Sequence, residues 1–339
     1  MSKPSTPSAA EVVPFAVVRK MCQNEGLSAL ACLAPPAPWD PAPMDRLIAD
    51  GLGNLSWMLE TRTQRLDPLS LLPSASSLLV VAWAYQPERG TNEIKRSRYL
   101  AGKDYHSILR RKLARIGEAL AQFGGQPWDQ RAAVDSAPIN ERSLARLAGL
   151  GWIGRNALLI APDAGSYRFL GVLLTEAPIE IFQGPHGQNR CGTCHRCETR
   201  CPTQALVEGR VQSMRCISYL TIEHDGVIPR HLAEQFNGWW CGCDICQEVC
   251  PWNRFAGPAA DVRLTGNENA SFLLGINATT FDRIFAGRAV RRLGYPRFRR
   301  NLLVAFASLG RRQECARIIA EAAPLVIAQA RELGMFGID

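Results

Sequence analysis

The sequence has no uninterrupted apolar run near the roughly 20 residues a helix needs to cross a bilayer, which excludes a membrane-spanning helix. Its opening residues, MSKPSTPSAAEVVPF, show neither a basic region leading into an apolar core nor paired arginines. No export signal is therefore expected, and the protein is expected in the cytoplasm. Cysteine is scarce over most of the chain, with only Cys22, Cys32 and Cys315 outside residues 191–250. A disulfide scaffold, which belongs to short secreted chains, is thereby excluded, and these three are expected as small buried hydrophobes. Acid is in deficit, with 31 Asp and Glu against 39 Lys and Arg, a formal charge of +8. A basic surface suits an anionic partner, because binding a phosphate backbone releases counterions. With 47% hydrophobic and 21% charged residues, global disorder is excluded, and 339 residues suit two or three domains.

The other nine cysteines crowd between Cys191 and Cys250. CGTCHRCETRCP, residues 191–202, has the spacing C-x2-C-x2-C-x3-C-P, in which three thiolates hold one 4Fe-4S cluster and the fourth reaches a second. CDICQEVCP adds Cys243, Cys246 and Cys250. Crossing the two runs places Cys191, Cys194, Cys197 and Cys250 on one cluster, and Cys201, Cys243 and Cys246 on the other, one ligand short. The usual position for that ligand is Trp240; Cys241 stands one residue off, and Cys216 lies upstream in RCISYLTIEH. Zinc ribbons also use C-x2-C pairs, but a tetrahedral zinc site has no use for a third cysteine in step or a trailing proline.

Residues 11–33, EVVPFAVVRKMCQNEGLSALACL, carry apolar residues at mixed helical spacing, and the proline-rich stretch 34–43 breaks them as a loop. SSLLVVAWAYQP, 76–87 and ending at Pro87, reads as a buried central strand, and FLGVLLTEAPIEI, 169–181, as another. Between them, residues 107–122 set Ile108, Leu109, Leu113, Ile116 and Leu120 on one helical face. An α/β domain is expected over residues 1–180 and a ferredoxin-like double-cluster domain over 181–260. A short all-α, helical-repeat-like segment is expected over 261–339, since 299–334 read as two amphipathic helices with a turn near Gly310.

GLGWIG matches the G-x-G-x-x-G dinucleotide fingerprint at Gly149, Gly151 and Gly154, with Glu176 at the spacing of the ribose-binding acid. That fingerprint must follow a strand and open a helix, whereas INERSLARLA before it has helical spacing. A helix C-terminal turn on Gly149 is the expected reading. Asp135, in AAVDSAPINER, stands at a strand end before a turn. Desolvation there would raise its pKa and make it a proton donor at neutral pH, against the plainer role of a cap or turn residue. In GKDYHSIL, Asp104 and His106 narrowly miss a D-x-H-x-x-G cobalt-ligand loop, Leu109 taking the glycine place. A helix start capped by Asp104 is expected instead.

Together, VDSAPINERSLARLAGLGWIGRNALLI, CGTCHRCETRCPTQAL, RCISYLTIEH and GCDICQEVCPWN resemble the epoxyqueuosine reductases, the QueG family of tRNA-modifying enzymes, over residues 45–255. The resemblance implies cobalamin in the α/β domain, two 4Fe-4S clusters beside it, and a tRNA anticodon loop carrying epoxyqueuosine as substrate. The implied oxidoreductase reaction turns the epoxide into the alkene of queuosine with loss of water. Electrons would arrive from an external low-potential donor, such as a flavodoxin or ferredoxin system, and a monomer is expected. Asp135 matches the family's proton donor; Arg65, Asp135, Leu159, Leu170, Ser218, Cys243, Asp244, Ile245 and Cys246 match positions around the corrin. Cys216 matches the missing cluster ligand, leaving Cys241 as an additional cysteine.

RAVRRLGYPRFRR, 288–300, holds Arg288, Arg291, Arg292, Arg297, Arg299 and Arg300 without an acid, interleaved with Tyr295 and Phe298. In an enzyme of this kind it is expected to grip tRNA phosphates and unpaired bases. A reductive dehalogenase would share the cofactors but would usually follow a twin-arginine signal and has no need of a basic face. A non-catalytic ferredoxin-type module would leave the first domain unused.

Overall fold

The computed structural model describes residues 11–27, 29–36, 40–85, 92–265, 268–320 and 322–335. Its N-terminal part contains α1 (Phe15–Asn24), β1 (Ala29–Leu33), β2 (Ser77–Ala84), α2 (Tyr105–Gly124), β3 (Gln130–Ala133), α3 (Glu141–Leu147) and β4 (Arg168–Thr175). The four strands form one sheet in the order β1-β2-β4-β3, with Leu79 opposite Leu173 and Trp83 opposite Phe169. Side chains alternate across a strand, so Leu79, Val81 and Trp83 pack with α1 and α2, while Leu78 and Val80 pack with α3 on the other face. Burial on both faces is why β2 is apolar without interruption. Each such buried side chain contributes about 1.5–3 kcal/mol. The five apolar positions expected on one face of α2 all lie in the same core, as do Cys22 and Cys32.

Two expectations change. Residues 29–33 form an edge strand on β2 rather than continuing the helix. The second strand stops at Thr175. Every pair in this sheet is antiparallel, and helices flank it on both sides. Pro87 and residues 1–10 lie outside the described residues.

The cysteine-rich segment is built from short pieces, among them α4 (Arg196–Arg200), α5 (Ile217–Ile222), β5 (Trp239–Cys241) and α6 (Ile245–Glu248). Beyond it come α7 (Gly294–Ala307), α8 (Arg312–Ile319) and α9 (Pro324–Glu332). Gly310 takes φ 70° in the turn after α7, where the sequence placed it, but Pro324 starts a new helix, giving three helices instead of two. Phe281, Phe285, Phe298, Leu302 and Phe306 pack there with Trp240 and Cys241, so one core joins these helices to β5. Cys315 is buried in it too. Among the described residues no helix is long and apolar enough to cross a membrane.

Candidate functional site

The trailing proline of each cysteine run has a local role. A residue before proline is pushed out of the helical region. Cys201 (φ −70°, ψ 110°) ends α4 and Cys250 (φ −73°, ψ 121°) precedes a 3-10 turn, both extended. Cys191, Cys194, Cys197 and Cys250 thereby line one cavity of about 330 Å³, mouth included. Burial raises the thiol pKa of Cys197, to about 11, and that of Cys250, and the charge of Cys191 adds to both.

Cys201, Cys216, Cys243 and Cys246 form a second group. Burial is the main reason that Cys216, Cys243 and Cys246 stand above the ordinary thiol value. Cys216 also feels the charge of Cys201, Cys243 feels Cys246 and Cys216, and Cys246 feels Cys216, Cys201 and, from the first quartet, Cys197. The quartets therefore adjoin. Cys241 stands apart: burial pushes its thiol to about 12, and the charges it feels are Arg96, Arg292, Glu268 and Arg297, with no thiol among them. Among the described residues no three His, Cys, Asp or Glu side chains converge as they would on a single ion. The first quartet lies around a cavity, as a cluster requires and a mononuclear zinc site does not.

Two residues beside the first cavity carried no role in the sequence reading. Arg155 Nε and Asn156 Nδ2 are buried without a hydrogen-bond partner, and both residues line that cavity. A buried unpaired N–H costs about 1–3 kcal/mol. Thiolate and sulfide sulfurs are the acceptors a cluster would bring, so the donor set fits one. The tight hairpin between Trp152–Ile153 and Leu159–Ile160 that holds these residues follows from its G-R-N-A turn, with Ala157 at φ 59°.

Asp104 caps α2, as expected, accepting from the His106 backbone N–H at 3.0 Å. The imidazole does more. Nδ1 lies 2.6 Å from Asp104 Oδ1 and Nε2 lies 2.7 Å from Asp135 Oδ2. Ionised carboxylates only accept, so a ring facing two of them donates from both nitrogens as imidazolium. Burial pulls the His106 pKa down, but the hydrogen bonds and charges of Asp104 and Asp135 outweigh it and raise it to about 9. For Asp135, burial pushes upward, yet the His106 bond and charge, a bond from Tyr105 and the charge of Arg292 leave it below the usual carboxylate value. The raised pKa expected for Asp135 is thus corrected: the stored proton sits on His106. Asp135 adopts φ 49°, sparsely populated for a side-chain-bearing residue, and its N–H donates to the Glu141 carboxylate. Its side chain remains 55% exposed, open to a reactant.

Tyr85 links this site to the thiols, since it feels the charge of Cys246 and leads through Tyr99 to Tyr105 in edge-to-face contacts at 6.4 and 6.1 Å. Leu170, Ser218, Cys243, Ile245 and Cys246 are each half-buried and present surface to a bound group; Leu159 is buried in the α3-side core. Arg65 is committed, donating to Thr61 Oγ1 at 2.9 Å and the Ile139 carbonyl at 3.3 Å, though its charge reaches Asp135. The buried Asp244 carboxylate accepts from the Ser97 hydroxyl and the Arg98 backbone N–H, and its carbonyl accepts from the Gln247 and Glu248 N–H groups, so the residue is committed to holding this segment in place.

The basic stretch 288–300 is largely structural, which corrects the expected phosphate grip. Arg300 is fully buried and donates to the carbonyls of Leu220, His224 and Gly226 at 2.8, 2.8 and 2.6 Å. Arg299 is 5% exposed and bonds the Ile318 carbonyl, and Phe298 is in the core. Arg297 donates to the carbonyls of Leu293, Ile222 and Arg292. Arg288, Arg291 and Arg292 reach the surface, paired with Glu268, Asp282 and Glu223. Gly149, at φ 70°, turns the chain after α3, where an added Cβ would fall 1.8 Å from the Gly184 carbonyl oxygen. Glu176 accepts from the Asp129 N–H. The glycine fingerprint is a turn, as expected.

A family model described as a 4Fe-4S double cluster binding domain matches residues 190–253, and one described as Epoxyqueuosine reductase QueG, DUF1730, matches residues 65–136. The epoxyqueuosine reductase of Vibrio cholerae is 38% identical over 283 residues, covering 79% of this chain and 76% of that protein. The chain belongs to the epoxyqueuosine reductase family. The epoxyqueuosine reductase of Cyclobacterium marinum is 36% identical over 257 residues, covering 74% of this chain and 82% of its own. A crystal structure of an epoxyqueuosine reductase with a tRNA-Tyr epoxyqueuosine-modified stem loop superposes with TM-score 0.81 at 25% identity, covering 94% of this chain and 89% of that one. The epoxyqueuosine reductase of Streptococcus thermophilus gives TM-score 0.72 at 25% identity, covering 96% and 91%. As an epoxyqueuosine reductase family member the protein is an oxidoreductase, with a 4Fe-4S double-cluster domain.

Proposed function

We propose that this reductase converts epoxyqueuosine at the wobble position of tRNA to queuosine, drawing electrons through two 4Fe-4S clusters and cobalamin. The reaction consumes two electrons and two protons and releases water, so the site must join an electron path to a proton source. One juxtaposition carries the reading: two adjoining thiol quartets stand behind Tyr85, Tyr99 and Tyr105, which lead to the open His106–Asp135 pair.

Cys191, Cys194, Cys197 and Cys250 would hold one cluster, and Cys201, Cys216, Cys243 and Cys246 the other. Leu170, Ser218, Cys243, Ile245 and Cys246 would line the corrin, with Leu159 and Asp244 backing them from the core and Arg65 acting on Asp135 through its charge. Reduced cobalamin would supply the strong nucleophile and reductant that a strained epoxide needs. The chain's own residues handle the proton. His106 holds one proton at Nε2 and hands it to Asp135, the group open to the substrate, which delivers it to the departing epoxide oxygen, while the second proton would come from solvent. Arg288, Arg291 and Arg292 would contact tRNA phosphates, Arg292 being close enough to influence Asp135.

Mass analysis of tRNA nucleosides from cells lacking the protein tests the reading. Epoxyqueuosine should accumulate at the expense of queuosine; an unchanged queuosine level would overturn it.

A further inference from the structure

The fold leaves an open cleft of about 1800 Å³, mouth included, against the first thiol quartet. Cys250 and Pro251 line both this cleft and the cluster cavity, as does Arg196. The cleft is lopsided in charge. Among the described residues Arg98, Arg196, Arg200 and Arg254 face a single acid, Glu248, which pairs with Arg98 at 3.1 Å. Arg196, Arg200 and Arg254 are exposed, and none has a carboxylate partner among the described residues. What sets the three apart is that they converge on one cleft beside Cys250, where together they suit an anionic visitor.

Their position says which kind. Arg196 and Arg200 bracket Cys197 on α4, and Arg254 follows Cys250 by four residues. Of the two quartets this is the outer one in that it borders the open cleft: Cys250 lines it, and no residue lining the cleft belongs to the other quartet. None of the groups around Asp135, namely His106, Tyr105, Glu141, Arg65 and Arg292, lines the cleft, so it is not where the substrate base is reduced. Electron transfer falls steeply with distance, so a donor must seat against the outer quartet. Brief redox encounters use small interfaces and rely on charge steering for their rate.

We infer that this cleft is the docking surface for an acidic one-electron carrier protein, held by Arg196, Arg200 and Arg254 in front of Cys250. The inference rests on the reading of the first quartet as a 4Fe-4S site. With a reduced flavodoxin as carrier, each encounter moves one electron to the cluster and turns the flavin hydroquinone into the semiquinone. No atom is exchanged, and two encounters supply the two electrons that epoxide reduction consumes.

The test uses the reconstituted full-length protein and oxidised flavodoxin, with binding measured by titration calorimetry across a salt series. The variant is Arg200→Glu with Arg254→Glu, both clear of the cluster cavity. Like charges facing across an interface cost several kcal/mol, so affinity at low salt should fall by roughly tenfold or more and its salt dependence should flatten. The equal charge change Arg317→Glu with Arg331→Glu should leave binding near the parent. Iron content and reduction by methyl viologen radical should be unaltered in both variants. Parent-like flavodoxin affinity and salt slope in the Arg200/Arg254 variant would overturn the docking surface, as would loss of tRNA affinity with flavodoxin binding intact, which would make the cleft an RNA face. A parent protein lacking the iron of the first site would instead defeat the cluster reading.

Discussion

His106 Nε2 and Asp135 Oδ2 stand 2.7 Å apart although 29 residues separate them, and the other ring nitrogen is held by Asp104. The pair stores a proton at neutral pH at an open face. Two opposite shifts cooperate: His106 is raised to about 9 while Asp135 is lowered.

Turnover of modified tRNA should therefore fall on the alkaline side through an apparent pKa near 9. The sign follows from linkage. The raised His106 pKa adds stability that is complete below the ordinary histidine value and is lost as pH climbs through about 9. The lowered Asp135 pKa adds stability present above the ordinary carboxylate value and lost as pH falls through its own. Asp104, Tyr105, Glu141, Arg65 and Arg292 are the charged or titratable groups facing the pair. Asp135→Asn should lower kcat by about 100- to 10,000-fold with cofactor content retained. His106→Gln should remove the alkaline limb. A His106→Gln profile identical to the parent's would exclude the proton store.

Cys216→Ser should cost the second site its iron, and Cys241→Ser should not. Cys241 is 1% exposed beside Trp240, where a serine hydroxyl would be buried without an assured partner, so that change should cost about 1–3 kcal/mol of stability. Iron and sulfide assays with thermal melts separate the two; loss of four irons from the Cys241 variant alone would reverse the assignment.

Asn156→Leu should lower the reduction potential of the first cluster, because hydrogen bonds to cluster sulfur raise it. Electron paramagnetic resonance titration would read the shift. An unmoved potential would mean that Asn156 Nδ2 does not reach a sulfur.

Arg300→Met should act on folding rather than on tRNA. It strips charged donors from three buried carbonyls, and a loss of about 3–5 kcal/mol is expected. Arg291→Gln with Arg292→Gln should do the reverse, weakening tRNA binding and flattening its salt slope with the melting temperature nearly unchanged. Equal tRNA affinity in that double variant would leave Arg291 and Arg292 as ion-paired surface alone.

What the chain declares by itself is whatever covalent spacing decides. The two C-P cysteine runs, the uninterrupted apolar β2, the amphipathic α2 and the Asp104 cap all follow from residues a few positions apart, whose relative placement the backbone dictates. Burial and protonation are set by neighbours from distant elements, and those the spacing does not carry. Cys216 and Cys241 differ little as sequence, but one packs among thiols and the other behind a hydrophobic helix layer. Arg299 and Arg300 read as a basic face until α7 turns them inward beside Phe298 and Leu302, where the carbonyls of the segment after α5 capture the Arg300 guanidinium. Asp135 owes its lowered pKa to an imidazole delivered by another helix, and only the tertiary structure brings that ring to it.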